Sequence, residues 1–412
     1  MTQAVNSSEQ FVYEICRKSF FPLWSYVNPQ GKTPGKELCD ILVVCDPHIV
    51  VISVKQVELK KSRNTSVNHD RWERKAVEAS TKQIRGAIRW LDQSGHVVQK
   101  DGSPGLALPP LNRRVYHRIA VAFGGEREVS ICGHCESGGE FFHVLDEKSF
   151  FVLLRHLDTI TDFVQYLEEK GRFLSKASVI INGGEESLLA WYLHNGCEFP
   201  SKPGFVIIED DLWHGVSQKP EFQAKLERDK LSYVWDNLIE VFGTELCDRK
   251  NHSGPDIAQS ELILRVLARE NRFARRLLGI AFRDFLELSR ARRARSRCFQ
   301  SISGVGYVFF TYDSNSTLEQ RRHELLGRCF ASLCQFTACS TVIGIAINTP
   351  GSPPKDGSSM DLAILHTDDG VWPAEFLEKA RFLRDELGFF KKPNSTHMQE
   401  EDEYPMIGKK RA

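Results

Sequence analysis

The stretch GKELCDILVVCDPHIVVISVKQ, residues 35–56, decides the fold of the first part of this 412-residue chain. Two apolar runs of strand length, at about 38–45 and 49–57, flank the tight turn Asp46-Pro47-His48. So short a connection makes the pair antiparallel. Asp40 opens the first run and Lys55 closes the second. Burying either charge alone costs several kcal/mol, so the ends of this hairpin call for either an ion pair or a site.

Working outward from the hairpin, Ser7 to Phe20 reads as a helix. Ser7 and Gln10 have capping-box spacing, and Phe11, Val12, Ile15 and Cys16 form one apolar stripe. Glu14 lies at the edge of that stripe, about 60° from Phe11 at roughly 100° per residue. A short strand at about 23–27 and the Pro/Gly-rich loop NPQGKTPGK lead to Glu37, three residues before Asp40. Beyond the hairpin, Asp70 to about Leu91 reads as a helix capped by Asp70 with Glu73 three residues on. Its apolar stripes enclose Gln83, and its other face carries Arg74, Lys75, Lys82, Arg85 and Arg89. A strand at about 115–124 completes a helix, hairpin, helix, strand order. Ser53 and Lys55 stand two residues apart on one strand and therefore project from the same face.

The order Glu14 on a helix, Asp40 at a strand start, Ser53-Val54-Lys55 late in the next strand and Gln83 in the following helix resembles the PD-(D/E)XK nuclease superfamily, which includes restriction endonuclease-like and RecB-like nucleases. The resemblance spans roughly the first 125 residues. It implies an α/β fold, a mixed sheet flanked by helices, and a Mg²⁺-dependent DNA endonuclease, with Mn²⁺ as a substitute ion. On that reading Asp40 binds metal, Lys55 contacts the phosphate or the attacking water, Gln83 supports the site, and Glu14 or Glu37 supplies a further acid. Hard carboxylate oxygens suit Mg²⁺, which activates water and relieves charge at the phosphorus. Nucleases of this kind in large accessory frameworks often serve bacterial antiviral defence. Two departures stand out: Cys39 where the family has proline, and Ser53 where it has an acid. A hydroxyl is a weaker ligand than a carboxylate, so a degenerate nuclease fold that binds nucleic acid or a partner without cleavage is the alternative.

Clustered basic residues point to a nucleic-acid partner. Lys60, Lys61 and Arg63 follow the hairpin, and Arg85 and Arg89 continue the sign along the helix. The sequence does not separate DNA from RNA, nor a homo-oligomer from a hetero-complex with a partner subunit. Arg275, Arg276, Arg283, Arg290, Arg292, Arg293, Arg295 and Arg297 form a second basic stretch, read equally as a charged helix face. Lys+Arg and Asp+Glu balance at 54 each, so no global field favours DNA and local clusters must carry that claim. The chain shows neither a signal-peptide pattern nor an apolar run of membrane-spanning length, and its 11 cysteines lie mostly in apolar runs, so the expectation is a cytoplasmic protein with reduced thiols and no membrane partner. Cys132-Gly133-His134-Cys135 has half the spacing of a zinc site. The expected organisation is a nuclease-like domain at 1–145, a mainly helical region at 146–298, a C-terminal α/β unit at 299–390 and a flexible tail at 391–412.

Overall fold

The computed structural model describes residues 6–33, 35–57, 73–124, 133–135, 139–201, 204–247, 255–291, 295–313, 315–336, 338–349, 360–391 and 401–405. Helix α1 (Ser7–Phe20) has the bounds that its apolar stripe predicts, but Asn6 is the cap: its side chain accepts a hydrogen bond from the Glu9 N–H. Strands β1 (Ser25–Val27), β2 (Ile41–Cys45) and β3 (His48–Gln56) follow, each antiparallel to its neighbour. Helix α2 (Ala79–Leu91) is preceded by one wide π-helical turn at Glu73–Glu78. The expected cap Asp70 lies outside the described residues. A small hairpin, β4 (His96–Val98) with β5 (Pro104–Ala107), leads to β6 (Val115–Phe123), and β7 (Gly133–Cys135) precedes β8 (Phe141–Asp146).

The architecture is mixed α/β, with a six-stranded sheet in the order β1-β2-β3-β6-β8-β7. β3 pairs antiparallel with β2 and parallel with β6. A parallel step needs a crossover, and the segment containing α2 supplies it. Leu42, Val44, Ile49 and Val51 of the hairpin pack against Ile84, Ala87, Ile88 and Leu91 of α2. Ile84 and Leu91 are wholly buried, and full burial of such a side chain contributes about 1.5–3 kcal/mol. Because side chains alternate along a strand, Asp40, Ser53 and Lys55 share this α2 face with Leu42 and Val51. The opposite face faces α1, where Val12, Cys16 and Phe20 are buried, and α4 (Ile160–Leu174), which follows α3 (Glu147–His156). Phe20 of α1 meets Phe163 of α4 with ring centroids 5.3 Å apart.

The chain divides into two compact units, Met1–Gln223 with Ile239–Gly254, and Ala224–Leu238 with Pro255–Ala412. The stretch 146–298, read from sequence as one helical region, therefore contributes to both. It also contains strands: β9 (Ser178–Ile181) and β10 (Phe205–Ile208) form a parallel pair in the first unit. In the second unit β11 (Ser296–Gln300), β12 (Gly306–Tyr312), β13 (Thr341–Asn348) and β14 (Met360–His366) form a sheet in chain order. Val308, Phe310 and Tyr312 face a core shared with Leu325, Cys329 and Ala380, whose helices span Leu318–Ser332 and Ala374–Asp385. Phe309, of opposite parity, contacts Trp235, Phe282 and Phe285.

Two arginines of the second basic stretch are structural, whereas Arg283, Arg290 and Arg295 are exposed. Arg275 ion-pairs with Asp236, Arg276 with Asp229 at 3.3 Å, and both guanidiniums are buried. Arg292 and Arg293 lie outside the described residues. The expected flexible tail is corrected at 401–405. Arg276 donates to the carbonyls of Asp402 and Glu403 at 2.8 and 3.1 Å, and Glu401 pairs with Arg228 at 3.1 Å. No helix among the described residues is long and apolar enough to cross a membrane.

Candidate active site at the end of the central hairpin

Four of the residues singled out in the sequence meet at one point. Asp40 directly precedes β2, Ser53 and Lys55 lie late in β3, and Gln83 lies on the second turn of α2. The Gln83 amide joins them. Its Nε2 donates to Asp40 Oδ1 at 2.9 Å, while its Oε1 accepts from Lys55 Nζ at 2.7 Å and from Ser53 Oγ at 2.7 Å. This fixes the orientation of the amide, because exchanging its oxygen and nitrogen would turn an NH₂ toward an ammonium. Asp40 Oδ2 accepts from the Val54 backbone N–H and lies 3.3 Å from Lys55 Nζ. The strand backbone thus holds the carboxylate in place, and a charge-assisted contact holds the lysine.

Accessibility separates the members. Asp40 is 4% exposed and Ser53 is fully buried, whereas 30% of the Lys55 side chain reaches solvent. The lysine's remaining contact is the Val54 carbonyl at 3.2 Å. Its three protons therefore have three acceptors within the protein, and a ligand that takes one of them must displace the weakest.

The further acids do not fall as expected. Glu14 is turned away: its carboxylate accepts from Gln10 at 2.6 Å, lies 3.8 Å from Arg17, and is 53% exposed. Glu9, on the same helix but about 140° round from Glu14, is 6% exposed and takes its place. Asn6 and Asn28 donate to its two oxygens at 2.6 and 3.4 Å. Asn28 is anchored in turn, since its backbone N–H donates to the Asp40 carbonyl at 2.9 Å. Glu37, which bridges to Gln30 as an isolated β pair, completes the acidic group. Partial burial raises the Glu37 carboxyl above the usual glutamate range, and the negative charges of Glu9 and Asp40 raise it further, against the opposing pull of Lys100 and Lys55. Burial, reinforced by Asp40 and Glu37, likewise keeps the Cys39 thiol protonated. Sequence reading passed over Glu9 because it read Glu14 against the Phe11–Cys16 stripe. The available signal was spacing, since Glu9 stands three and seven residues before the buried Val12 and Cys16.

Of the five residues expected to bind nucleic acid, Lys60, Lys61 and Arg63 lie outside the described residues. Arg85 is paired with an acid. Its Nε donates to Glu140 at 2.8 Å, Arg118 reaches the same carboxylate at 3.3 Å, and both guanidiniums lie over the Phe142 ring. Arg89 is exposed, as are Arg74, Lys75 and Lys82. Cys132 also falls outside the described residues.

No family model matches the chain, and comparison with curated proteins and with solved structures finds no match to either.

Proposed function

We propose that the first unit is a Mg²⁺-dependent DNA endonuclease of the restriction endonuclease-like type. The observation that carries this reading is the convergence of Asp40, Ser53, Lys55 and Gln83 on one hydrogen-bonded network beside two further acids, Glu9 and Glu37. The donor set suits a hard dication. Asp40, Glu37 and Glu9 offer only carboxylate oxygens, and the Glu37 carboxyl, raised first by burial, is raised further by the charges of Glu9 and Asp40, a repulsion that a cation relieves. Asp40 would hold the ion directly, with Glu37 and Glu9 acting through water, because the three carboxylates do not converge to first-contact spacing around one ion. When bound, Mg²⁺ supplies charge neutralisation at the phosphate and makes water a better nucleophile.

The chain's own groups do the rest. Lys55 presents the exposed positive charge of the network, and its ammonium is the group to meet a phosphate oxygen. Gln83 keeps Lys55 and Asp40 at fixed separation, so the ammonium cannot collapse into a closer pair with the carboxylate. Arg74, Lys75, Lys82 and Arg89 give the α2 side a positive surface that neutralises backbone phosphates without reading bases. Bacterial antiviral defence is the setting we propose by analogy with nucleases carried in larger frameworks.

The direct test is incubation of purified protein with plasmid in Mg²⁺, alone and as the Asp40→Ala and Lys55→Ala variants. Cleavage that persists in both variants removes the assignment.

Ser53 favours a second reading, a nuclease fold that binds without cutting. Where the resemblance calls for an acid, this side chain is a fully buried hydroxyl donating to Gln83. On that reading DNA binding weakens steeply with salt and needs no divalent ion. Robust Mg²⁺-dependent cutting by the unaltered chain excludes it.

A further inference from the structure

β3 carries a second group of chemically capable side chains at its other end. His48 and Lys55 are seven residues apart, an odd number, so they face opposite sides of the sheet. At 3.3 Å per residue they stand about 23 Å apart along the strand. On the face opposite Lys55, β6 contributes His117, whose register partner on β3 is Val50. His48 Nδ1 and His117 Nε2 are 3.0 Å apart. Glu168 of α4 brings its Oε1 to 4.0 Å from His117 Nε2, and the three ligand atoms all lie within 4.8 Å of one another. Among the described residues this is the one His/Cys/Asp/Glu group that converges so tightly.

We propose that His48, His117 and Glu168 form a binding site for a borderline-soft transition-metal dication of the zinc class, separate from the carboxylate site. Two imidazole nitrogens and one carboxylate oxygen are a donor set that zinc uses when it keeps a position open to water or substrate. Softer nitrogen donors also distinguish this site from the all-oxygen group at Asp40. The separation of the two nitrogens fits: ligands at about 2.05 Å from a common ion and 3.0 Å from each other subtend roughly 94°, between octahedral and tetrahedral values. Glu168 needs to close by roughly 0.6 Å to reach tetrahedral spacing from His117. Half of its side chain is exposed, which leaves it free to do so.

His117 is buried, and the neighbouring Arg118 is engaged by Glu140 at 3.3 Å. Lys170, on the same helix as Glu168, is matched by Glu185 at 2.6 Å and brings little uncompensated positive charge. His143, two residues beyond the level of His117 on the adjacent strand, is also buried and held neutral, chiefly by burial.

The competing account is a plain N–H···N hydrogen bond between the two rings, and metal binding tells the two apart. The full chain, stripped with chelator, is titrated with Co²⁺ and followed by visible absorption, then with Zn²⁺ by calorimetry. The expected result is one Co²⁺ with a mixed nitrogen–oxygen spectrum, displaced by Zn²⁺ and unaffected by Asp40→Asn. His48→Ala should weaken binding by more than the roughly 10–100-fold that loss of an outer-shell partner costs, and Glu168→Gln by at least about 10-fold. Circular dichroism checks each variant, and the exposed position of Glu168 makes its variant decisive if His48→Ala unfolds. Absence of a Co²⁺ spectrum, or binding unchanged in His48→Ala and Glu168→Gln, overturns the proposal.

Discussion

Asp40 with Lys55 in the first unit and Asp361 with Arg321 in the second are both acid–base pairs built from a strand-associated aspartate, yet they are different objects. Arg321 Nε meets Asp361 Oδ2 at 2.8 Å, with neither side chain more than 7% exposed, and the guanidinium also lies 4.6 Å from the Tyr312 ring centroid. One charge cancels one charge inside a closed core. At the hairpin the lysine is open to solvent, and Glu9 and Glu37 add negative charge to that of Asp40. What distinguishes a candidate site from a structural ion pair here is charge imbalance and access, not the presence of a salt bridge.

The comparison is best broken by removing one base from each pair. Arg321→Ala strands a buried carboxylate, which costs about 3–5 kcal/mol. Urea unfolding of the second unit's signal should show that loss while plasmid cleavage by the folded fraction is unchanged. Lys55→Ala and Asp40→Asn should do the reverse. They lower single-turnover cleavage by roughly 100- to 1,000-fold, the scale of losing one group that stabilises transition-state charge, with Lys55→Ala changing the unfolding midpoint far less than Arg321→Ala. If both units respond alike, the contrast is wrong.

A sharper test lies on α1. Glu9→Gln should reduce cleavage and Mg²⁺ affinity by about 10-fold, the lower end of what a supporting group costs, and Glu14→Gln should leave both unchanged. Equal effects at the two positions would return the helix to a purely structural role.

The smallest expected effect concerns pH. Because the folded-state pKa of Glu37 is raised, its proton is taken up above the ordinary glutamate range, and Mg²⁺ affinity should begin to fall at correspondingly higher pH. Linkage gives the sign for stability as well: the contribution of a raised carboxyl is present below the unfolded pKa and is lost as pH rises through the folded one. Glu9→Gln removes one cause of the shift and should move the midpoint of the Mg²⁺ affinity profile to lower pH. Titrations at several pH values check this, and an unmoved midpoint would show that the two acids are not coupled.

Much of the first unit was legible because its signals are local and periodic. The hairpin follows from two apolar runs on a tight turn, and α1 and α2 follow from their stripes. Asp40, Ser53, Lys55 and Gln83 could be placed together because strand parity and helix phase fix their faces. The misses share a cause, which is that sequence does not show partners. Nothing near Arg85 in sequence shows that Glu140, 55 residues later, pairs with it. Arg275 and Arg276 look like a DNA-binding face until Asp236 and Asp229 meet them. Glu9 lost to Glu14 because Glu14 borders the Phe11–Cys16 stripe, whereas the burial of Glu9 comes with Asn28, 19 residues away. β11 was hidden because SRCFQ, next to an arginine-rich run, lacks the apolar alternation of a half-buried strand.

β3 also acts as a ruler shared by two addresses. Because His48 and Lys55 are separated by an odd number of residues on one strand, any single-residue insertion or deletion between them reverses the facing of one set relative to the other. A one-residue length change therefore cannot adjust the carboxylate site while leaving the histidine site on its own face. Substitutions can, so if both proposed sites operate, the two ends of this strand are freer to vary in composition than by an odd change in spacing.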